Sequence, residues 1–362
     1  MKKIASLILT VLLVCSVFTG CGDKEKENTT SSKPEINNSS STPDSSSEAP
    51  KPVVDAYNFL TGEKLKDASS DNKRPVAVMV NNIVSALPQY GTGSADIIYE
   101  IPVEGGITRL MAVYSDYTKM PKICSVRSCR YYFPLIALGM DAVYIHWGMD
   151  GTIAKDTLLS TKINRLDGGS IGVEYFGRDK DRQNAGYALE HTGYFDGTKM
   201  PDAMKAMKFR TERSADFSET LFKFNKTAVA NGVDCNKAVL SFSNSYFSTF
   251  TYDKATSTYK KQHSGKPHMD KSTGEQLSFT NVIALKTSVK LISGSKKNLV
   301  SVGLESGTGK YISNGKSMDI KWKKDGDNAP IVLMDKDGKE ISINQGKSYI
   351  AFIGNDRSIS IS

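Results

Sequence analysis

Residues 74–114 read RPVAVMVNNIVSALPQYGTGSADIIYEIPVEGGITRLMAVY. Three runs in this stretch have strand length and a β-branched or aromatic content: Val76–Val80, Ala95–Ile101 and Ile107–Tyr114. Ile123–Val126 and Ala142–Ile145 repeat the signal further along. Arg130–Leu138, Gly151–Leu159 and Asp202–Met207 have helical spacing and Ala, Leu or Met content, and Thr220–Ala230 fits either state. Strands that alternate with helices predict an α/β or α+β N-terminal domain with a mixed sheet, over residues 53–232.

Past residue 232 the rhythm changes to short strands separated by turns. Thr280–Leu285, Asn298–Leu304, Ser317–Trp322, Ile331–Met334 and Ser348–Ile353 are the strand candidates. Asn314-Gly315 and Asp337-Gly338 between apolar runs are strong hairpin marks. Residues 233–362 therefore predict a smaller all-β domain, a sandwich or open barrel.

Upstream, Lys2 and Lys3 precede an apolar run, Ile4 to Phe18, that is too short to span a membrane as a helix. Residues 1–20 read as an export signal. Thr19-Gly20-Cys21, with Phe18 where Leu is usual, resembles the lipobox of bacterial lipoproteins, in which the Cys is acylated and becomes the mature N-terminus. Several acyl chains would anchor the protein stably. The other reading is plain secretion with cleavage close to Gly20. Residues 21–52 are Ser-rich, with one large aliphatic residue, Ile36, and no aromatic. Such a segment is a flexible linker with a reach of about 30 Å, which would hold the body off the outer face of the membrane.

Composition narrows the function classes. At 362 residues with 39% hydrophobic and 24% charged, the chain is neither disordered throughout nor a multi-span membrane protein. Lys plus Arg (47) exceed Asp plus Glu (39), and the linker is acidic on balance, so the body is basic. A basic body suits phosphate polymers or anionic headgroups. No Arg–aromatic run of a nucleic-acid module is present, so nucleic acid is not an expected partner. Cys124, Cys129 and Cys235 read as free or buried thiols, and a C-x4-C metal site at Cys124 and Cys129 lacks its other two ligands.

Three tempting motifs resolve to bland readings. Gly307-Thr308-Gly309-Lys310 lacks the first Gly of a phosphate loop (Leu304) and the Ser/Thr after Lys (Tyr311), and reads as a hairpin turn. Asp335-Lys336-Asp337-Gly338 lacks the acids of a calcium loop and also reads as a turn. His263 and His268 flank Ser-Gly-Lys-Pro without a convincing third ligand, and read as a solvated loop.

Polar groups gather at the strand ends of the N-terminal domain, where α/β folds carry ligand sites. Arg109, Arg127 and Arg130 would converge on a phosphate or carboxylate. Glu104, Gly105, Gly106, Thr108 and Ser128 would complete the cleft, with the glycines letting backbone N–H groups approach an anion. Glu100 and Glu104 would pair with the arginines or hold a divalent cation. His146, beside Trp147-Gly148, is the best general acid/base candidate, with Glu104 its partner. Arg178, Asp179, Arg182 and His191 would form a second wall. The alternative is a salt-bridge network that only locks strand ends.

RPVAVMVNN, ADIIYEIPVEGGITRLMAVY, ICSVRSCRYYF and DAVYIHWG, with Thr280-Asn281-Val282, Gly307-Thr308-Gly309, Tyr311, Gly315 and Trp322, resemble the YerB-like lipoprotein family. Its two parts are known as the N- and C-terminal domains of unknown function 3048. The resemblance covers nearly everything after residue 73 and implies an exported, lipid-anchored, two-domain protein with no assigned reaction. A fainter likeness links the strand–turn–strand ending in Arg to the LytR-CpsA-Psr cell-wall phosphotransferases. Those bind a polyprenyl pyrophosphate with arginines and an acid-held magnesium; here Ser128 follows Arg127 where an Asp is expected. The functional expectation is a surface lipoprotein that binds an anionic wall polymer or lipid-linked phosphate, without a cofactor. An envelope-modifying phosphotransferase with a divalent cation, and an assembly protein that docks a protein partner, are the alternatives.

Overall fold

The computed structural model describes residues 55–362. The expected export signal, Cys21 and the linker lie outside the described residues. In the N-terminal half the strands are β1 Val76–Asn81, β2 Ile97–Pro102, β3 Thr108–Tyr114, β4 Val143–His146 and β5 Arg165–Asp167. The helices are α1 Tyr132–Leu138, α2 Ile153–Thr161, α3 Lys180–Asn184 and α4 Met200–Ala206. The expected mixed α/β layer is present. Thr220–Ala230, open between helix and strand, contributes only the short strand Lys223–Phe224.

The C-terminal half is all-β, as expected. Its main strands are β6 Lys237–Ser241, β7 Phe247–Asp253, β8 Thr258–His263, β9 Asn281–Thr287 and β10 Ser306–Ser313. β11 Lys316–Lys324, β12 Ile331–Met334, β13 Ser348–Gly354 and β14 Ile359–Ile361 follow. These strands divide between two sheets. The larger runs β11-β10-β9-β13-β2-β3-β1-β4-β5, so it crosses from one half of the sequence into the other. The crossing is made by β13, which is parallel to β9 on one side and to β2 on the other. The second sheet, β8-β7-β6-β14, belongs to the C-terminal half alone.

Sequence pattern explains this layering. β1, β2, β3 and β13 are buried at every position, so both faces of the large sheet are covered. On one face Met79, Tyr99 and Met111 pack with Phe133 of α1, Leu158 of α2, and Trp322 and Phe352 from the C-terminal half. On the other, Val78, Ile98 and Leu110 join Met204 of α4 and Phe250 and Tyr259 of the second sheet. Each such side chain contributes about 1.5–3 kcal/mol by leaving water. All described strands belong to one compact unit, Val54–Ser362.

Where β2, β3 and β13 meet the second sheet, Glu100 is completely buried. Asn82 Nδ2 (2.8 Å) and Thr108 Oγ1 (2.7 Å) donate to its Oε1, and Ser248 Oγ (2.6 Å) and Tyr349 OH (2.5 Å) to its Oε2. Two donors come from each half of the chain. The pairing of Glu100 with the arginines, or with a cation, is therefore corrected: its lone pairs are taken by four neutral donors.

His263 and His268 do not form a solvated loop. His263 ends β8 at 2% exposure, and His268 is at 0%. β8 turns Tyr259, Lys261 and His263 inward in strict alternation, which a search for apolar alternation passes over. Gly307–Lys310 is likewise not a turn but part of β10. Cys124, Cys129 and Cys235 are free and buried.

The two tryptophans, Trp147 and Trp322, report on opposite halves. In Trp147→Phe and Trp322→Phe backgrounds, Tyr349→Phe should lower the urea midpoint of both signals equally. A loss of about 1–3 kcal/mol is expected, because Glu100 then lacks one of its donors. A shift seen by one tryptophan alone would mean that the halves unfold separately.

Candidate functional site

The sheet brings most of the sequence-derived candidates to one edge. β1, β4 and β5 are parallel, so Asn81, His146 and Asp167 end side by side. β3 runs the other way and starts there, with Arg109 opposite Asn81. The loop between Cys124 and α1 lies across these ends. Arg127 N donates to Met79 O (3.1 Å), Trp147 N to Arg127 O (3.1 Å) and Cys129 N to Gly148 O (2.9 Å). Arg127, Ser128 and Arg130 are thus pinned over the carboxyl ends of β1 and β4, where parallel strands leave a crevice.

Within this edge the arginines have unequal surroundings. Arg130 grips Glu104 with Nε (2.9 Å) and Nη2, and its Nη1 donates to Cys129 O (2.8 Å). Arg109, 5% exposed, gives Nη1 to Ser128 O (2.8 Å) and Nη2 to the same Glu104 carboxylate (3.4 Å). Burial, with Arg130 alongside, lowers Arg109 to about 10, so it keeps its charge at neutral pH. Burial works against the Glu104 anion, but the Arg130 hydrogen bond and both guanidinium charges hold it below its usual range. One carboxylate serves two cations, and this corner is a clamp with a single surplus charge. Gly105 and Gly106, exposed in the turn above it, have φ of +75° and +70°, where glycine is unstrained.

Arg127 stands apart. Its Nη1 leans on Glu190 O (3.3 Å) and lies 3.8 Å from the exposed Glu190 carboxylate, while its Nε is buried without a hydrogen-bond partner. Arg178 lies 4.2 Å above the Trp147 ring, donates to Leu189 O (2.6 Å), and is lowered first by burial and then by the charge of Arg127. His191 bridges Asn81 Nδ2 (3.0 Å) and Ser85 Oγ (3.3 Å), which ties this wall to the end of β1. Asp179 caps α3 and pairs with Lys122, and Arg182 is spent on the carbonyls of Ala86, Pro88 and His191. Arg178 and His191 thus join this edge through Trp147 and Asn81, whereas Asp179 and Arg182 are built into the frame.

Two candidates lose their roles. Thr108 is fully buried on Glu100 rather than lining the cleft. His146 is 0% exposed, with Nδ1 on Gly148 O (2.9 Å) and burial lowering its pKa despite the nearby Asp167. It cannot pass a proton to a molecule on the surface, and Glu104 is held by two arginines, so the acid–base pair is not assembled. Among the described residues no three His, Cys, Asp or Glu side chains converge as a metal site.

The platform role of Trp147 went unseen in the sequence. A Cβ at Gly168 or Gly193 would stand 2.6 or 2.9 Å from its ring, so the indole fits only because those positions are glycine. Its one sequence signal is Trp-Gly directly after a strand.

Residues 60–210 match the N-terminal domain of the "Protein of unknown function (DUF3048)" family, and residues 238–350 its C-terminal domain. The chain belongs to the DUF3048 family. This DUF3048 chain is 30% identical over 311 residues to the Bacillus subtilis protein named "Putative lipoprotein YerB", covering 84% of this chain and 88% of that one. The crystal structure of the YerB protein from Bacillus subtilis superposes with a TM-score of 0.71 at 26% identity, over 84% of this chain and 99% of that one. The two family segments lie on either side of residue 232, and the mixed-sheet and all-β halves correspond to them.

Buried titratable groups beneath the site set a pH response. Gln89 donates Nε2 to Asn81 O (2.8 Å), so its Oε1 accepts from His268 Nε2 (2.6 Å), and His268 Nδ1 is left to accept from Lys261 Nζ (2.9 Å). His268 is therefore neutral. Burial lowers Lys261 to about 8 and His263 to about 4, and pushes His268 well below its usual value. The unfolded chain protonates these histidines near 6.5 while the folded chain does not, so stability falls as pH drops from 6.5 towards 4. Between pH 7 and 5 urea unfolding should lose about 2 kcal/mol for each buried neutral histidine, and His263→Phe should remove about 2 kcal/mol of the loss while the shares of His268 and His146 remain. A flat profile over that window would contradict the buried-neutral assignment.

Proposed function

We propose that this chain is a lipid-anchored protein on the outer face of the cell membrane, and that the edge of its N-terminal half binds an anionic cell-envelope ligand. Anchoring rests on Thr19-Gly20-Cys21 after a charged start and an apolar run, and on the name of its Bacillus subtilis relative. The ligand class rests on the surplus of guanidinium groups at one strand edge. Glu104 balances one of Arg109 and Arg130, and among the described residues the exposed Glu190 is the one carboxylate paired with Arg127, beside which Arg178 also stands.

Arg127 carries the reading. Its side chain is partly exposed, and its Nη1 lies 3.8 Å from the exposed Glu190 carboxylate, a loose pairing that leaves the guanidinium open to a second anion. A phosphate or carboxylate seated beside Ser128 would meet its Nη groups, with Arg178 reaching from the Trp147 face. A wall polymer phosphate and a lipid-linked phosphate present the same group. Arg109, Arg130 and Glu104 hold the floor of the edge in place, as positioning residues.

Binding of residues 55–362 to poly(glycerol phosphate), followed by calorimetry at low salt, should weaken at least about tenfold in Arg127→Ala and in Arg178→Ala, which is about 1.4 kcal/mol. Added salt should erode wild-type binding. Equal affinities in both variants would remove the proposal. For the anchor, Cys21→Ser in the full chain should shift the protein from the membrane fraction to the medium, and retention in the membrane would contradict acylation.

A further inference from the structure

A sheet edge is usually covered or guarded, because its unpaired N–H and C=O groups accept another strand. Three outer edges of the two main sheets are covered. Ile341 N donates to Leu333 O (3.0 Å) beside β12, and Asp167 and Ile171 exchange backbone hydrogen bonds (2.8 and 2.9 Å) beside β5. Lys266–Pro267 and Ser278–Phe279 pair with β8. β14 differs: the second sheet ends on it, and among the described residues β6 is the one strand it pairs with. Lys237 exchanges backbone hydrogen bonds with Ser362 (2.8 and 2.9 Å), and Ser241 N donates to Ser358 O (3.1 Å). Bonded positions alternate in an antiparallel pair, so Ser358, Ser360 and Ser362 face β6 while Ile359 and Ile361 turn their N–H and C=O groups outward. Ser358–Ser362 contains no Lys or Pro to guard the edge.

Beside that edge lies a trough of about 400 Å³, with Ile359 on its wall and Thr308, Lys310, Asp319 and Lys321 on its floor. Register accounts for it. Ile312 opposes Ser317, Lys310 opposes Asp319 and Thr308 opposes Lys321, so these six share one face of the large sheet. Ile312 and Ser317 are buried, whereas Thr308, Asp319 and Lys321 are exposed. The second sheet thus stops at β14, and the large sheet runs on past it with that face open. A further strand paired to β14 would lie over this floor, which is polar. Lys310 is paired with Asp319 (2.7 Å). Lys321 donates to Lys336 O (2.8 Å) and among the described residues is in no ion pair, so the floor has a surplus positive charge.

We propose that an extended segment of another protein adds to β14 as the next strand, and that its inward side chains are acidic. Ile359 and Ile361 offer the backbone pairing, which any sequence can use, and Lys321 selects the charge. A small anion would leave the outward amides unused. The large sheet projects past β14 as β10 and β11, so a second copy joined edge to edge would drive its own projection into this one. The site is separate from the arginine edge and does not depend on it.

Residues 55–362 form one compact core and can be tested alone. The probe is a short capped peptide of alternating Thr and Glu. In amide-resolved hydrogen exchange it should slow Ile359 and Ile361 at least tenfold, while Ser360, already paired with Val239, changes little. Ile361→Pro removes an outward N–H and no internal hydrogen bond, and should weaken calorimetric binding at least tenfold. Lys321→Glu should weaken it at least threefold, and Arg127→Ala should leave it unchanged. Near-ultraviolet circular dichroism checks that each variant is folded. No binding, or unaltered exchange at Ile359 and Ile361 in the bound state, would overturn the strand assignment. Equal binding of the Thr–Lys counterpart would overturn the acidic one. Protection of both amides already present in the full-length Cys21→Ser chain would assign the edge to this chain's own residues 21–52, and concentration-dependent dimers would assign it to a second copy. Either result would overturn the outside partner.

Discussion

A carboxylate with no access to water holds the two halves of this molecule together. Removing an ion such as Glu100 from water costs several kcal/mol, and that cost is met only when its lone pairs are filled. Asn82 and Thr108 supply donors from the N-terminal half, Ser248 and Tyr349 from the C-terminal half. Lys261, 5.2 Å from the Tyr349 ring and hydrogen-bonded to His268, places a cation close behind. A shift of the second sheet against β2 would strand donors and acceptor alike. The apolar layers supply most of the stability, but they tolerate sliding; this network fixes one registration, a specifying role that buried polar groups take in some folds.

The candidate site inherits its rigidity from that joint. Asn82 belongs to the Glu100 network, and its neighbour Asn81 receives the hydrogen bond of Gln89 and holds His191. Arg109 and Arg130 are then locked through Glu104, and what remains adaptable is Arg127 and Arg178. Charge at the edge is thus divided between groups that shape it and groups left to meet something else. Such a division suits a surface that must present cations without repelling itself apart.

Much of this was legible in the residues. Val76–Asn81, Ile97–Pro102, Thr108–Tyr114 and Ile331–Met334 are dense apolar runs, and local pattern finds them. β7 and β8, FSTFTYD and TYKKQH, escaped because their inward positions carry Ser, Lys and His as well as aromatics. Arg109 sits at a strand start, and Arg127 and Arg130 lie in the loop laid over the strand ends, so local pattern brings the three arginines near one edge. Their partners were not, since whether Glu104 serves one guanidinium or two depends on a turn geometry that spacing does not encode. His146 was misread for the same reason: a histidine that ends a strand is accessible only if the following loop leaves it so, and here the loop folds back over it. That β13 would pair with β2, some 250 positions earlier (348 against 97), is invisible to any local signal.

The placement of β13 has a bearing on how the chain is made. Until Ser348–Gly354 arrive, both β2 and β9 expose a bare row of backbone amides and carbonyls, and the Tyr349 hydroxyl is missing from the interior. Closing so distant a contact is slow and has the largest loop entropy to overcome. The large sheet is therefore completed only after nearly the whole polypeptide has been made. A chain that stays loose until its final segment is delivered is one whose large sheet closes in a single late step.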